Sequence, residues 1–436
     1  MPVTLTLLHF NAWSGSTYSM NWLNLSLKSY ELPSQTEARY HSAVRQIREL
    51  DPDVITVNEC MPSPAYASRL AVDLGMDVFT RTGMAGAILG PVHFPSSSAT
   101  EGDAVLARKS LRMRPLGREK LSGNVFGETF SLNGGDATQV IAAAVVKDGE
   151  EFVIGCTHWT ASAVDCEATR REIEEMRVEM TGGGKGRFTE KEIEEGEAAV
   201  ERGTATRVEE ARLTLEFLDK VSSDLPGSTV ILAGDLNTVA GTPELEMVGG
   251  VGGEGSTYEP VSLPEGSVTW DVLNPNVALQ DKPEYEGSRG RVEERLYTTF
   301  SKRNACLDHV FVKGWRDEVG EKRKVEAEGE VCMKGGGSEG GKSGGAVASD
   351  HYGVLVTFRV PDRAAGPDRA AGQDRGVHEL DALFQAASVG SPDREGERAR
   401  GAGEESRPSS PSSPEDAGEE ASPEDAGEED SLLSSR

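Results

Sequence analysis

Polar residues of the kinds that bind metal ions or transfer protons stand at the ends of several apolar runs in this sequence. They are Asn11 in LLHFNAW, Glu59 in DVITVNE, His158 in FVIGCTHW, Asp235 and Asn237 in TVILAGDLN, Asp308 in CLDHVFV, and Asp350 and His351 in SDHYGVLV. Each one alone is explained by turn or cap chemistry, because Asn and Asp side chains readily bond to nearby backbone groups. Together they form a set with a chemical use.

The set suits a hard divalent cation and a phosphate ester. Carboxylates and amides without cysteine favour Mg²⁺, or Mn²⁺, which takes one or two carboxylates together with phosphate oxygens of the substrate. Glu59 is the candidate ligand, with Asn11 beside it. Histidines could donate protons to a phosphate, while Asp235 orients a water and Asn237 holds a phosphoryl oxygen. The chemistry implied is in-line attack of activated water on a phosphoester.

The triad residue types in Ser349-Asp350-His351 raise the alternative of a serine nucleophile. Neighbours in an extended chain point to opposite faces, so these three side chains would rarely meet. Ser349 does not lie in a GxSxG elbow either. We therefore expect Ser349 to be a turn residue.

Short apolar runs that alternate with helix-like patterns predict the elements that carry these residues. The predicted strands are 3–11, 53–58, 103–107, 140–146, 152–158, 229–236, 307–312 and 353–360. A capping-box pattern from Ser34 to Glu37 predicts a helix that ends before Pro52, and an apolar stripe predicts another over 205–220. Alternating strands and helices indicate an α/β or α+β fold, in which sites lie at strand ends.

The chain is acidic, and its composition divides it in two. It has 73 Asp and Glu against 45 Lys and Arg, for a formal net charge of −28. Residues 361–436 hold 19 acidic and 8 basic residues in Pro-, Ser-, Glu- and Ala-rich repeats, which predicts a disordered tail. We expect a catalytic domain over 1–360 and an acidic tail that is a candidate segment for binding a protein partner. The acidity disfavours a protein that binds nucleic acid through many phosphate contacts.

Two further segments interrupt the domain. Residues 170–203 are highly charged and contain TGGGKG, which predicts an exposed helical insertion with a flexible elbow. Residues 333–346 are rich in glycine and predict a flexible loop. Both fall near the expected rim of the site and affect how substrate reaches it.

The cysteines and the hydropathy of the sequence indicate the cellular compartment of the protein. The five cysteines form no CxxC pair and are odd in number, which disfavours a disulfide framework or a zinc site. The sequence has no signal-peptide pattern and no run of 18 apolar residues. We expect a monomer in the cytoplasm or nucleus, without a transmembrane segment.

The ordered motifs resemble those of the endonuclease/exonuclease/phosphatase superfamily, the metal-dependent phosphoesterases related to pancreatic DNase. The resemblance spans roughly residues 3 to 360 and rests on FNAW, DPDVITVNE, GDAVLAR, GCTHW, AGDLNT, LDHVFV and SDHYGVLV. It implies a four-layer sandwich, with two mixed β-sheets packed face to face and helices outside.

The resemblance also implies roles on the metal side of the site. Asn11 and Glu59 would be metal-side residues, and Asp350 would be a second metal-side or histidine-orienting acid. The family usually has Gln before the metal-binding glutamate, where this chain has Asn58. The shorter amide would change the hydrogen bonds around Glu59.

The catalytic roles are implied in the same way. His158 would contact the phosphate or transfer a proton, Asp235 would be the water-orienting base, and Asn237 would hold the phosphate. His351 would be the second catalytic histidine, positioned by Asp308.

The segment 268–281, VTWDVLNPNVALQD, is similar to one in neutral sphingomyelinases. This similarity favours a lipid headgroup over a nucleic acid as the phosphodiester substrate, with Trp270 and Asp271 as substrate-binding residues. The alternatives are a nuclease or another phosphatase of the same superfamily, and a packed aromatic with a capping acid at these two positions.

A non-catalytic scaffold that reuses the fold is the remaining alternative. A pseudoenzyme would be expected to have lost Glu59, Asp235 or His351, and all three are present. The complete motif set therefore favours an enzyme.

Overall fold

The computed structural model describes residues 2–13, 16–21, 24–29, 32–85, 88–89, 92–93, 100–123, 138–181, 188–249, 258–278, 292, 295–296, 303–314, 324–334 and 347–361. These residues fall in one compact unit, Met1–Arg363. The predicted acidic tail after residue 361, the elbow at 182–187 and residues 335–346 of the glycine-rich loop lie outside the described residues.

Strands and helices alternate along the chain. The strands are β1 (Val3–Asn11), β2 (Ser16–Asn21), β3 (Asn24–Ser29), β4 (Val54–Asn58), β5 (Met76–Ala85), β6 (Ile88–Leu89), β7 (Val92–His93), β8 (Thr100–Arg108), β9 (Arg114–Lys120), β10 (Gln139–Lys147), β11 (Glu150–His158), β12 (Thr229–Asp235), β13 (Glu259–Pro260), β14 (Asp308–Lys313), β15 (Glu326–Cys332) and β16 (Gly353–Val360). The helices are α1 (Pro33–Leu50), α2 (Ala65–Leu74), α3 (Glu167–Thr181), α4 (Glu190–Ser223), α5 (Pro243–Gly249) and α6 (Pro275–Ala278).

Two mixed six-stranded sheets form the centre of the fold. The first has the order β15-β16-β1-β4-β8-β5, and the second has the order β13-β14-β12-β11-β10-β9. β1 and β4 run parallel in the first sheet, as β11 and β12 do in the second. Each sheet therefore has a pair of strands whose carboxyl ends lie together.

The side chains of β1 explain how the layers are held. Leu5 and Leu7 belong to the apolar core between the two sheets, whereas Leu8 and Phe10 pack with α1 and α2 on the outer face. Alternate residues of a strand face opposite sides, so one strand serves both cores. A third core lies between the second sheet and α4. The result is the expected four-layer sandwich of helix, sheet, sheet and helix.

All eight predicted strands exist, and those at Val3–Asn11 and Gly353–Val360 have the predicted bounds. The four edge strands of the two sheets, β5, β9, β13 and β15, were not predicted. β9 reads RPLGREK and β15 reads EAEGEVC, and both are largely exposed or half-buried. Their charged sequences lack the continuous apolarity that marks the central strands.

The predicted capping box of α1 is wrong in its residues. The helix begins at Pro33, and the side chain of Gln35 accepts a hydrogen bond from the backbone N–H of Leu32 at 2.8 Å. The reason is that Pro33 fits the first turn of a helix, where its missing N–H is not needed. The helix therefore starts earlier than the Ser34–Glu37 pattern indicated.

The charged insertion is helical, as predicted, but it is not simply exposed. α3 and the first half of α4 share a small core with Val292 and Leu296. Ile173, Met176 and Ile193 are buried in it. The insertion thus has an apolar face of its own, although its composition is mostly charged.

No helix among the residues that the structure describes is both long and apolar enough to span a membrane.

Candidate functional site

The polar residues singled out in the sequence converge where the two sheets present their strand ends. Asn11 is paired with Asn58 at the ends of the parallel strands β1 and β4. His158 is paired with Asp235 at the ends of β11 and β12, and Asp235 is opposite Asp308 on β14. The register of these strands thus brings the predicted site residues to one edge of the sandwich.

Asn11 joins two acidic residues of the site, Glu59 and Asp235. Its Nδ2 donates to Glu59 Oε1 at 2.8 Å and to Asp235 Oδ2 at 3.0 Å. Its Oδ1 accepts the backbone N–H of Trp13 at 2.8 Å. Asn11 therefore orients both carboxylates with its amide nitrogen, and its oxygen is used to hold the following turn.

The carboxylate of Asp235 lies between two imidazoles. Its Oδ2 is 3.6 Å from His351 Nε2 and 3.8 Å from His158 Nε2. Asp235 is 1% exposed, and His158 also lies 3.7 Å from the carboxylate of Glu101. A water molecule or a substrate phosphate group bound next to Asp235 Oδ2 would be within reach of both histidines.

Asp308 holds His351 in place from behind. His351 Nδ1 lies 2.8 Å from Asp308 Oδ2, so its Nε2 faces Asp235. Burial opposes protonation of His351, but the carboxylates of Asp308 and Asp235 outweigh it and hold its pKa well above the ordinary value. Burial likewise disfavours ionised Asp308, but His351 and His9 hold the pKa of Asp308 well below its usual range.

His9 was not singled out in the sequence, although it contacts the other oxygen of Asp308. Its Nε2 lies 3.1 Å from Asp308 Oδ1 and its Nδ1 lies 3.0 Å from Thr56 Oγ1. The sequence does point to His9, because it lies two residues before Asn11 and must therefore be on the same face of the strand.

Asn237 sits in the left-handed backbone region, with φ of 49°, which Asn tolerates better than most residues. Its backbone N–H donates to Asp235 Oδ1 at 3.0 Å, and its Nδ2 donates to the carbonyl of Trp159 at 2.9 Å. The side chain thus ties the loop after β12 to the loop after β11. A contact with phosphate would use the second hydrogen of the same amide.

Asp350 is buried beside the site but belongs to neither of the two described groups of residues that could hold a metal. Its carboxylate accepts a hydrogen bond from Ser349 Oγ at 3.1 Å. Ser349 Oγ also accepts the backbone N–H of His351, as a turn residue does. The amide of Asn274 donates to the carbonyls of Ser349 and Asp350, so this turn is fixed from the segment 268–281.

Trp270 and Asp271 lie next to His351 in different ways. Trp270 packs its ring against the His351 ring, with centroids 5.0 Å apart and planes at 74°. Asp271 accepts hydrogen bonds from the backbone N–H of Leu273 and from the hydroxyl of Tyr352. These contacts match the packed aromatic and the capping acid that the sequence left open.

The donor set fits a hard divalent cation. Ligand atoms of Glu59, His158 and Asp235 lie within 4.8 Å of one another, as do those of Asp235, Asp308 and His351. The first group offers two carboxylates at a half-buried opening, which suits Mg²⁺ or Mn²⁺. In the second, Asp308 is fully buried and already bonded to two imidazoles, so Glu59, which belongs only to the first group, is the better candidate metal ligand.

Buried polar residues of α4 support the loops that carry the site, and sequence reasoning missed them. Arg207 donates to Glu244 Oε1 at 2.7 Å and to the Ala163 carbonyl at 3.3 Å. Glu210 accepts from the backbone N–H of Thr160 at 2.9 Å. Glu244 Oε1 also accepts from Thr238, the residue after Asn237. On a helix rich in charge these residues resemble solvent-facing ones.

The chain matches one known protein family and is similar to several solved structures. The model of the Endonuclease/Exonuclease/phosphatase family matches residues 8–351. No curated protein matches the chain. Among solved structures, mannosyl-6-phosphatase from Bacteroides thetaiotaomicron is 14% identical, with 81% of this chain and 99% of that chain covered and a TM-score of 0.48. Truncated Caenorhabditis elegans TDP2 is 12% identical, with coverages of 82% and 98% and a TM-score of 0.44.

The family match includes Asn11, Glu59, His158, Asp235 and His351, and it extends over most of the chain. The family prediction made from the ordered motifs is therefore confirmed. The chain belongs to the endonuclease/exonuclease/phosphatase family, a family of phosphoester hydrolases.

Proposed function

We propose that the chain is a metal-dependent phosphodiesterase in which Asp235 activates the attacking water. The observation that carries this proposal is the position of Asp235 Oδ2, which lies 3.0 Å from Asn11, 3.6 Å from His351 and 3.8 Å from His158. A carboxylate at such a point can accept a proton from water while the histidines contact the phosphoryl oxygens.

The surrounding residues orient these groups. The backbone N–H of Asn237 and the amide of Asn11 each bond one oxygen of Asp235, so its carboxylate is held from both sides. Asp308 holds His351 with Nε2 toward the site, where it would stabilise the charge that develops on the phosphate. Glu59, oriented by Asn11, would hold the metal ion. When bound, Mg²⁺ or Mn²⁺ supplies Lewis-acid polarisation of a phosphoryl oxygen.

We further propose a zwitterionic lipid headgroup as the substrate, as in sphingomyelinases. Leu273 is 84% exposed, on a turn anchored beside His351. Trp270 packs on the His351 ring and Asn274 bonds the Ser349 and Asp350 carbonyls, so the turn is attached to the segment that carries His351. An exposed leucine at this place would suit contact with an acyl chain or a micelle surface.

Hydrolysis of bis-p-nitrophenyl phosphate tests the reaction. We expect turnover with Mg²⁺ or Mn²⁺ and none in EDTA. The variants Asp235→Ala and His351→Ala should each lose about 10²–10⁴ in kcat, the range for a removed acid–base group. Asp51→Asn, at an exposed pair on the opposite end of β4, is the control and should keep wild-type turnover.

An Asp235→Ala variant that keeps its activity would overturn the assignment of the base. No hydrolysis of any phosphoester by the wild type would favour the scaffold alternative.

A parallel assay on sphingomyelin micelles, single-stranded DNA and duplex DNA tests the substrate class. We expect hydrolysis of sphingomyelin, reduced in Leu273→Asp, with bis-p-nitrophenyl phosphate turnover unchanged in that variant. Cleavage of DNA without cleavage of sphingomyelin would favour the nuclease alternative.

A further inference from the structure

A row of hydrogen bonds passes from one sheet to the other directly beneath the site. The backbone N–H of Asp235 donates to Asn58 Oδ1 at 2.9 Å, and Asn58 Nδ2 donates to Asp103 Oδ1 at 2.6 Å. Gln139 Nε2 donates to Asp103 Oδ2 at 3.0 Å. All four residues are at most 4% exposed. The row connects β4 and β8 of the first sheet to β12 and β10 of the second.

The direction of every bond in the row is fixed from its two ends. The N–H of Asp235 can only donate, so Asn58 must turn its oxygen to Asp235 and its nitrogen to Asp103. At the other end, Gln139 Nε2 also donates to the carbonyl of Arg81 at 2.9 Å, and a carbonyl can only accept. Asp103 must therefore accept two hydrogen bonds from two amide groups, which its carboxylate can do and an amide at this position cannot.

We propose that Asp103 is a positioning residue, which acts through Asn58 to fix the backbone of Asp235 and so the direction in which its carboxylate enters the site. The inference rests on the proposed role of Asp235 as the base. Neither Asp103 nor Asn58 touches the reacting atoms.

The chemistry of Asp103 supports a specific role. Burial raises its pKa to about 6, against the opposing effects of His158 and of the two amide donors. Among the described residues, no lysine or arginine contacts this carboxylate. A buried acid without a cationic partner costs stability, and an apolar residue would be cheaper if only packing mattered.

Exchanging the two side chains tests the proposal. In the double variant Asn58→Asp/Asp103→Asn, all three hydrogen bonds can form again, because the carboxylate introduced at position 58 would accept from the backbone N–H of Asp235 and from the new amide at position 103. The single variant Asp103→Asn can form at most two of these hydrogen bonds. The single variant Asn58→Asp places two carboxylates opposite each other. We expect each single change to lower kcat by about tenfold or more with KM nearly unchanged, since small misplacements of reacting groups have such effects. The exchanged pair should return to within about threefold of wild type.

Gln139→Met is the matched control. It removes the second donor to Asp103 but leaves the path through Asn58 to Asp235 intact. Its kcat should stay close to wild type. A loss as large as that of the single variants would mean that the row acts only in packing the sheets.

Hydrogen exchange at the backbone amide of Asp235 gives a readout independent of activity. The single variants should accelerate it, and the exchanged pair and Gln139→Met should not. If Asp235→Ala remains active, the proposed base is wrong, but this exchange still decides whether Asp103 fixes the backbone. The inference is overturned if the single variants fold and keep the wild-type hydrogen-exchange rate and kcat. It is also overturned if the double variant restores the wild-type hydrogen-exchange rate without recovery of kcat.

Discussion

At the scale of single residues, the site contains carboxylates that lie close together and are hydrogen-bonded by polar neighbours. Glu59 and Asp235 are bridged by the amide of Asn11, and Asp235 is also flanked by two imidazoles. The two carboxylates repel each other, and the neutral amide of Asn11 offsets this repulsion less than a bound cation would. The stability of this region should therefore depend on the cation.

We predict that millimolar Mg²⁺ or Mn²⁺ raises the melting temperature of the wild type and that Glu59→Gln removes most of this shift. Binding to the folded state stabilises it by about 2.7 kcal/mol when the ion is at 100 times its Kd. The amide oxygen introduced at position 59 would still accept from Asn11, so the fold should persist. Differential scanning fluorimetry in EDTA and in each metal measures the effect.

Asp51→Asn is again the control, because Asp51 is exposed and precedes β4, at the end of that strand away from the site. An equal metal-induced shift in Glu59→Gln and in the wild type would remove Glu59 from the metal site.

At the scale of elements, α4 does more than cover the second sheet. Its apolar side chains pack on β11 and β12, while Arg207 and Glu210 bond the loop that follows β11, and Arg207 reaches the loop after β12 through Glu244. His158 and Asn237 lie at the starts of those loops. The helix therefore holds the loops that carry the candidate site from behind, with buried, charged groups.

We predict that Arg207→Met destabilises the protein by about 3–5 kcal/mol, because removal of one partner leaves the buried carboxylate of Glu244 without its cation. The double variant Arg207→Met/Glu244→Met should recover part of this loss. Arg212→Met is the control on the same helix, since Arg212 forms exposed pairs with Glu209 and Glu216. It should change stability by about 0.5 kcal/mol or less.

Urea unfolding followed by circular dichroism gives all three free energies. Equal losses for Arg207→Met and Arg212→Met would contradict a special role for the buried pair.

The elements also explain how far the sequence could predict this site. Continuous apolar runs marked the central strands, and the polar residue at each strand end marked Asn11, Glu59, His158 and Asp235. The local sequence does not determine which distant strands pair. The contacts of His9 and Asp103 with residues of other strands could therefore not be derived. Arg207 and Glu210 were missed because a charged residue on a helix is usually solvated, and only the tertiary packing buries these two.

At the scale of the whole molecule, the two sheets are joined by polar groups at both ends of the sandwich. The row through Asn58 and Asp103 lies at the site end. At the opposite end, Asp53 precedes β4 and accepts hydrogen bonds from Thr6 on β1 and from Lys147 at the end of β10. The Asp53–Lys147 pair therefore connects the first sheet to the second at the end away from the proposed catalytic residues.

This second connection should make the stability of the fold depend on pH. Burial raises the pKa of Asp53, but the hydrogen bonds from Lys147 and Thr6 outweigh it, so the pKa in the folded protein lies below its ordinary value of 3.8. A carboxyl with a depressed pKa contributes its full stabilisation above the unfolded value and loses it as pH falls through the folded value. We predict that Asp53→Asn is less stable than the wild type at pH 7 and that this difference shrinks as the pH falls below about 4.

Urea midpoints measured from pH 7 to pH 3 check this prediction, with Asp51→Asn as the control. Asp51 is two residues away but exposed, and it shares Arg108 with Asp53, so its variant removes only the solvent-exposed partner of that arginine. Its variant should differ little from the wild type at any pH, because exposed pairs contribute little. If the difference between Asp53→Asn and the wild type stays constant down to pH 3, the stabilisation does not come from the ionised carboxylate.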